Sequence, residues 1–218
     1  MNRHLHLVSF DIPYPPDYGG VIDVFYKILH LQRQGIDVTL HCFQYGKREV
    51  QAELLLYCRK VFYYPRGLGF QSTSVSLPYI VSSRSTHDLL HQMTLDSDPI
   101  IFEGTHSTYL VKHPLLKDRV KILRAHNVEY KYYRELAKNT SFGWKKIYYW
   151  VESFLLQNYE ARCDYFNHVL AVSTNEMPTL QKLFPSAKVH YLPSFHPYSK
   201  IKAESGRGKY CIYHGNLS

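Results

Sequence analysis

The chain has 218 residues, 45% of them hydrophobic, with a formal net charge of +8 and a pI near 9.2. That is ample for a sizeable core, and no run approaches the roughly 18–20 apolar residues needed to span a bilayer. The positive balance favours anionic partners, with nucleic acid the weakest candidate because no zinc-finger, RRM or helix-turn-helix signature is present.

The elements follow from hydrophobic periodicity. "HLHLVSF" (4–10) reads as a strand, and "PYPPDYGG" leads into a helix over about 20–34. In that helix Val21, Val24, Phe25, Ile28 and Leu29 share a face, and Asp23 falls in the first turn, where the dipole favours an acid. A strand at 36–43, a short helix at 49–57 and a strand at 60–65 come next. Residues 66–84 are Ser/Gly-rich and ambiguous, and a helical pattern resumes near 85–95. Apolar strands at 99–104 and 120–127 precede helices at 128–138 and 143–165. The longer of these carries Trp144, Tyr148, Val151, Leu155, Tyr159 and Cys163 on one face. A strand (168–173), a helix (174–184) and a strand (187–193) complete the run. Strands too apolar for one-sided burial, alternating with helices, predict a doubly wound α/β domain with a mostly parallel, Rossmann-like sheet. Residues 194–208 read as a linker, and 209–218 as the first strand of a second domain.

In such sheets ligands bind beyond the carboxyl ends of the strands, so residues just after each strand are the candidates. Gly19 and Gly20 offer bare amides at a helix N-terminus, suited to a phosphate, or else form a tight turn that needs positive φ. Glu103, Thr105 and His106 follow one strand, and Arg124, His126, Asn127 and Glu129 the next. A histidine there can hold a hydroxyl or act as a base, while Asn127 can equally be a helix N-cap. Ser173 or Thr174 reads as a cap. His4 and His6 lie on one side of a strand without an evident third ligand, which favours a structural role over a metal site. GxGxxG, P-loop, GxSxG and HExxH patterns are all absent. The four cysteines are scattered and no secretory leader is visible, so a reducing, cytoplasmic setting is expected. Lys131, Arg134, Lys138, Lys145 and Lys146 fall among Tyr130, Tyr132, Tyr133, Trp144, Tyr148, Tyr149 and Trp150. That mixture suits an anionic membrane surface, or else a helical pair with its aromatics in the core and its lysines in water.

Taken in order, "PYPPDYGG", "GIDVTLH", "EGTH", "RAHNVEYKYYRELA", "YEARCDYFNHVLAVSTNE" and "HGNLS" resemble the N-terminal half of the retaining GT-B glycosyltransferases of family four. The resemblance implies two Rossmann-like domains facing across a cleft, with this one on the acceptor side. It implies a nucleotide-sugar as donor substrate, a carbohydrate or lipid-linked acceptor, and neither a cofactor nor a metal. Gly19 and Gly20 would approach the donor diphosphate, and His126 would lie at the reacting sugar or acceptor. Tyr18, Glu103, His106, Arg124 and Asn127 would line the acceptor side. His214, Gly215 and Asn216 would open the donor-binding half, so residues 1–218 alone are expected to be inactive. Polysaccharide or glycolipid synthesis, with peripheral contact at the inner face of the plasma membrane, fits this picture. A GT-B-type sugar-nucleotide epimerase and a non-catalytic partner- or membrane-binding module are the alternatives.

Overall fold

The computed structural model describes residues 3–44, 46, 48–69, 73–198, 200 and 206–207. Seven strands form one sheet: β1 (Arg3–Ser9), β2 (Ile36–Gln44), β3 (Lys60–Pro65), β4 (Ile100–Glu103), β5 (Lys121–Ala125), β6 (His168–Ala171) and β7 (Lys188–Tyr191). Their order is β3-β2-β1-β4-β5-β6-β7 and every pairing is parallel. Chain order reverses between β1 and β4, which makes that pair the topological switch point.

Strand periodicity divides the core in two. Leu5 and Leu7 join Val24, Phe25 and Ile28 of helix α1 (Gly19–Arg33) on one face of the sheet. Val8, Phe43 and Phe102 belong to the other core, with Leu89 and Met93 of α3 (His87–Met93) and Leu156 of α5 (Trp144–Ala161). Apolar side chains on both faces are what parallel strands require. Among its described residues the ambiguous stretch before α3 contains one short helix, α2 (Tyr79–Ser82), and the helix expected at 49–57 is a 3-10 turn over Ala52–Leu56. Helices α4 (Glu129–Asn139) and α6 (Met177–Leu183) complete the set.

Three expectations need correction. The inward side of α5 is Glu152, Ser153, Leu156, Tyr159 and Glu160, whereas Trp144, Tyr148 and Val151 are exposed. The cause is polar. Glu160 turns inward to accept from the amides of Glu129 and Tyr130, and Glu152 accepts from that of Tyr79, so two carboxylates take inward positions and rotate the first half of the apolar face outward. For the same reason Asn127 is not the N-cap of α4. Val128 holds that position with no side-chain cap of its own, and Glu160 and Glu176 satisfy the first amides from a distance. Asp23 lies beyond the first turn of α1 and is committed to a buried ion-pair network.

The interval 194–208 is described in part, and it begins docked: the Phe195 amide donates to Asp23 Oδ1 (2.7 Å) and its ring packs on His30. Residues 209–218, with His214, Gly215 and Asn216, lie outside the described residues. No helix among the described residues is long and apolar enough to cross a membrane.

Candidate functional site

The carboxyl ends of β1, β4 and β5 open onto a cleft of about 320 Å³. Its wall includes Phe10, Gly19, Gly20, His106, His126 and Glu129, with Asn127 at the rim. The switch point therefore brings together most of the residues singled out in the sequence.

Neither Gly19 nor Gly20 has positive φ, so the tight-turn explanation for the pair fails. Both belong to α1, whose N-cap, Tyr18, makes no side-chain cap bond. Gly20 is glycine for proximity: a Cβ there would sit 2.6 Å from Phe10 Cζ. Gly19 faces open space, with nothing within 4 Å of a Cβ. The first turn of α1 thus presents backbone to the cleft, as an anion site at a helix N-terminus requires.

Behind the cleft lies a network of buried charges. Glu103 is fully buried, and Lys27 Nζ donates to its two oxygens at 2.8 and 2.9 Å. The same ammonium donates to Asp23 Oδ2 (3.0 Å), and Arg124 donates to both Asp23 oxygens through Nε and Nη2. Burial opposes ionisation of Asp23, yet Lys27 and Arg124 hold its carboxyl below the usual range. Burial likewise opposes the charge on Glu103, and Lys27 with His126 holds it ionised. Two anions balance two cations, and removing one partner from such a set costs about 3–5 kcal/mol. Asp23, Glu103 and His126 are spaced closely enough to grip a metal ion, but the Lys27 ammonium already bridges the two carboxylates. The donor set is that of a salt-bridge lattice.

Arg124 is withdrawn from the cleft. It is wholly buried, and its remaining donors go to the carbonyls of Leu192 and Pro193, so it locks α1 to the chain after β7. His126 is the point where this lattice reaches the cleft. Its Nε2 donates to Glu103 Oε2 at 3.0 Å, which leaves Nδ1 for a ligand. His106 stands nearby, its ring centroid 5.5 Å from that of Phe10, and its buried Nδ1 has no partner among the described residues. Burial first, then Arg84, His126 and Arg66, keeps its pKa well below the ordinary histidine value. Gly104, at φ 66°, shapes this corner, because a Cβ there would lie 3.1 Å from His106 Nδ1.

Glu129 is the unusual acid of the site. Burial, then the neighbouring Glu160, pushes its pKa up to about 8, so it is largely a neutral carboxylic acid near pH 7. It stands 3.9 Å from His106 Nδ1. Thr105 turns away, donating to Glu160 Oε1, and Ser173 Oγ accepts from the Asn175 amide in the turn before α6. Tyr18 faces the adjoining basin, where its hydroxyl donates to Asp11 Oδ2 (2.7 Å).

Sequence reasoning missed Lys27, Phe10 and the linkage through Asp23. A signal existed: Asp23 and Lys27 lie one turn apart on the apolar face of α1, where an unpaired charge is not tolerated.

At the opposite end of the sheet the fold supplies acidic neighbours that sequence spacing did not reveal for His4 and His6. His4 Nδ1 pairs with Asp98 and its Nε2 with Thr39, while His6 lies between Asp96 and His41. With both ring nitrogens of each histidine engaged, this cluster reads as structural.

The chain matches no family model. An uncharacterized 44.6 kDa protein in the cps region of Klebsiella pneumoniae is 30% identical over 209 residues, which are 90% of this chain and 52% of that protein. The chain thus spans about half the length of this curated relative. Among solved structures, Arabidopsis thaliana UGT89C1 complexed with UDP-L-rhamnose superposes with a TM-score of 0.54 at 11% identity, covering 94% of this chain and 52% of that one. Apo UGT2 of Phytolacca americana gives 0.52 at 11% identity, over 90% and 53%. The chain has the Rossmann-like fold of a GT-B glycosyltransferase domain. In both superpositions the GT-B domain fold found here accounts for about half of the other chain.

Proposed function

We propose that the chain is the acceptor-side, N-terminal half of a retaining glycosyltransferase of the family-four kind. In this reading it moves a hexosyl-type sugar from a nucleoside diphosphate to an acceptor hydroxyl in polysaccharide or glycolipid assembly. The observation that carries the reading is the convergence of the uncapped α1 N-terminus with the His126–Glu103 pair in one cleft at the switch point. The fold it shares with the glycosyltransferases above, one of them complexed with UDP-L-rhamnose, supports the donor class, and the relative's place in a cps region is in keeping with the pathway class.

Each residue then has a task. The amides of Gly19 and Gly20 face the donor diphosphate and stabilise the charge that develops as the sugar departs. Glu103 fixes the tautomer and tilt of His126, whose Nδ1 accepts a hydrogen bond from a hydroxyl of the acceptor or the reacting sugar. His106 and the neutral Glu129 line the acceptor side and bond hydroxyls without adding charge. A second Rossmann-like half supplies most of the grip on the nucleotide, so the 218 residues alone do not transfer.

The test is sugar transfer by a protein that joins this chain to such a half, with and without His126→Asn. The reading predicts acceptor-dependent release of the nucleoside diphosphate and a fall on the order of 100-fold in kcat for the variant. Release without any acceptor-linked product, unchanged in the variant, would contradict it.

A further inference from the structure

The cleft continues beyond Phe10 and His106. On their far side lies a basin of about 550 Å³ whose wall includes Arg66, Arg84, Tyr133 and Tyr149. Past Tyr79 and Tyr148, which border both spaces, follows a groove of about 410 Å³ along Val151 and Leu155. The three spaces run from polar to cationic to apolar, and the last meets the exposed face of α5.

We propose that this basin and groove hold an acceptor built as a phosphate on an apolar chain. The phosphate lies against Arg66 and Arg84, and the chain lies along Tyr79, Tyr148 and Leu155.

The cationic part is a built site. Arg84 is only 4% exposed, and its Nε and Nη1 are anchored on the carbonyls of Phe10 and Ile80, which fixes the guanidinium in place. Arg66 is held by Ser83 Oγ through Nε and lies over the Tyr79 ring, 5.1 Å from its centroid. Burial first, then the charge of Arg66, lowers the pKa of Arg84 to about 9. Two fixed guanidiniums on one cavity repel each other, and an anion between them relieves that repulsion while matching their planar donor geometry. The nearby acids do not cancel the pair: Asp11 is shared with the Arg48 guanidinium at 3.9 Å, and burial raises the pKa of Glu152. Asp11 accepts from the Ile12 amide and the Tyr18 hydroxyl, and Glu152 accepts from the Tyr79 amide. Apart from Glu152, which is turned to the Tyr79 amide, the groove adds apolar contact and no cation, which selects for a chain over a free ion.

Identifying this ligand as the acceptor rests on the transferase reading; the binding itself does not. The experiment is calorimetric titration of the 218-residue chain with farnesyl phosphate below its micelle concentration, with farnesol, and with inorganic phosphate. The proposal expects farnesyl phosphate to bind at least about tenfold tighter than either partial probe, as one added charge-assisted contact would give. Arg66→Gln, at a half-buried position and checked for folding by circular dichroism, should abolish the preference over farnesol. Leu155→Asp should abolish the preference over phosphate. Equal affinity for farnesyl phosphate and farnesol, or for farnesyl phosphate and phosphate, overturns the proposal. Donor turnover by the protein joined to a second half, assayed separately, reads the transferase claim: its absence with farnesyl phosphate binding intact defeats that claim and leaves this one standing.

Discussion

Gly19 and Gly20 are adjacent, and the structure separates their reasons for being glycine. A methyl on Gly19 enters open space in a helical conformation, so Gly19→Ala should leave stability unchanged or raise it by up to about 1 kcal/mol. It should nonetheless weaken binding of a diphosphate on the order of tenfold, by covering an amide that would bond a charged oxygen. Gly20→Ala forces the Phe10 ring aside and should cost about 1–3 kcal/mol in urea unfolding. A Gly19→Ala protein with weakened folding and normal diphosphate affinity would return the pair to a purely structural role. Glu129 makes a second prediction. Its carboxyl is pushed up to about 8 when folded, against an ordinary value of 4.5 when unfolded, so the unfolded chain binds fewer protons between those values. Stability from this group is complete in acid and declines as pH rises, by up to about 1.4 kcal/mol per unit. His6, His41 and His106, whose pKa values burial lowers, tilt the curve the other way below about 6.5, and Glu160, raised to about 7, shares the decline up to that point, so the window that reads Glu129 lies between about pH 7 and 8. Glu129→Gln should flatten the decline in that window and make the protein more stable at pH 8. A variant with the parent's slope would show that the acid is already ionised.

Helices α4 and α5 show how long-range carboxylates override local pattern. Glu160 and Glu176 close the N-terminus of α4 from other parts of the chain, which frees Asn127 for the cleft rim. Turning the glutamates of α5 inward turns its aromatics outward. Ile147, Trp150, Val151 and Phe154 form an exposed stripe at helical spacing, with Lys131, Lys138 and Lys145 also exposed nearby in the chain. Of the two readings of this basic and aromatic surface, the one with its aromatics in the core does not hold for Trp144, Tyr148 or Trp150. We infer a face suited to the headgroup layer of an anionic bilayer, and Trp150→Glu with Phe154→Glu should abolish co-sedimentation with vesicles of anionic lipid. Parent protein that binds neutral and anionic vesicles alike would count against it.

Much of the molecule was legible in its sequence. The central strands are short apolar runs between turn signals, as in Ile100–Glu103, which parallel burial makes easy to find. Once strands are placed, the switch-point rule leads directly to Gly19, Glu103, His106 and His126. The illegible parts share one cause, partners distant in sequence: Lys27 reaching Glu103, Glu160 capping α4, and Arg84 brought beside His106 from a Ser/Gly-rich stretch without periodicity. Arg124 shows the converse, a candidate by position that the fold spends on Asp23. The account rests on the claim that the cleft between β1, β4 and β5 receives a nucleoside diphosphate sugar. Its most direct test is an amide-resolved NMR titration of the 218-residue chain with UDP-glucose to millimolar concentration. Saturable shifts are predicted at Gly19, Gly20 and His126, with a midpoint raised on the order of tenfold in Gly19→Ala. Saturable shifts confined to the His4–Asp96 end of the sheet, or none at all, would contradict it.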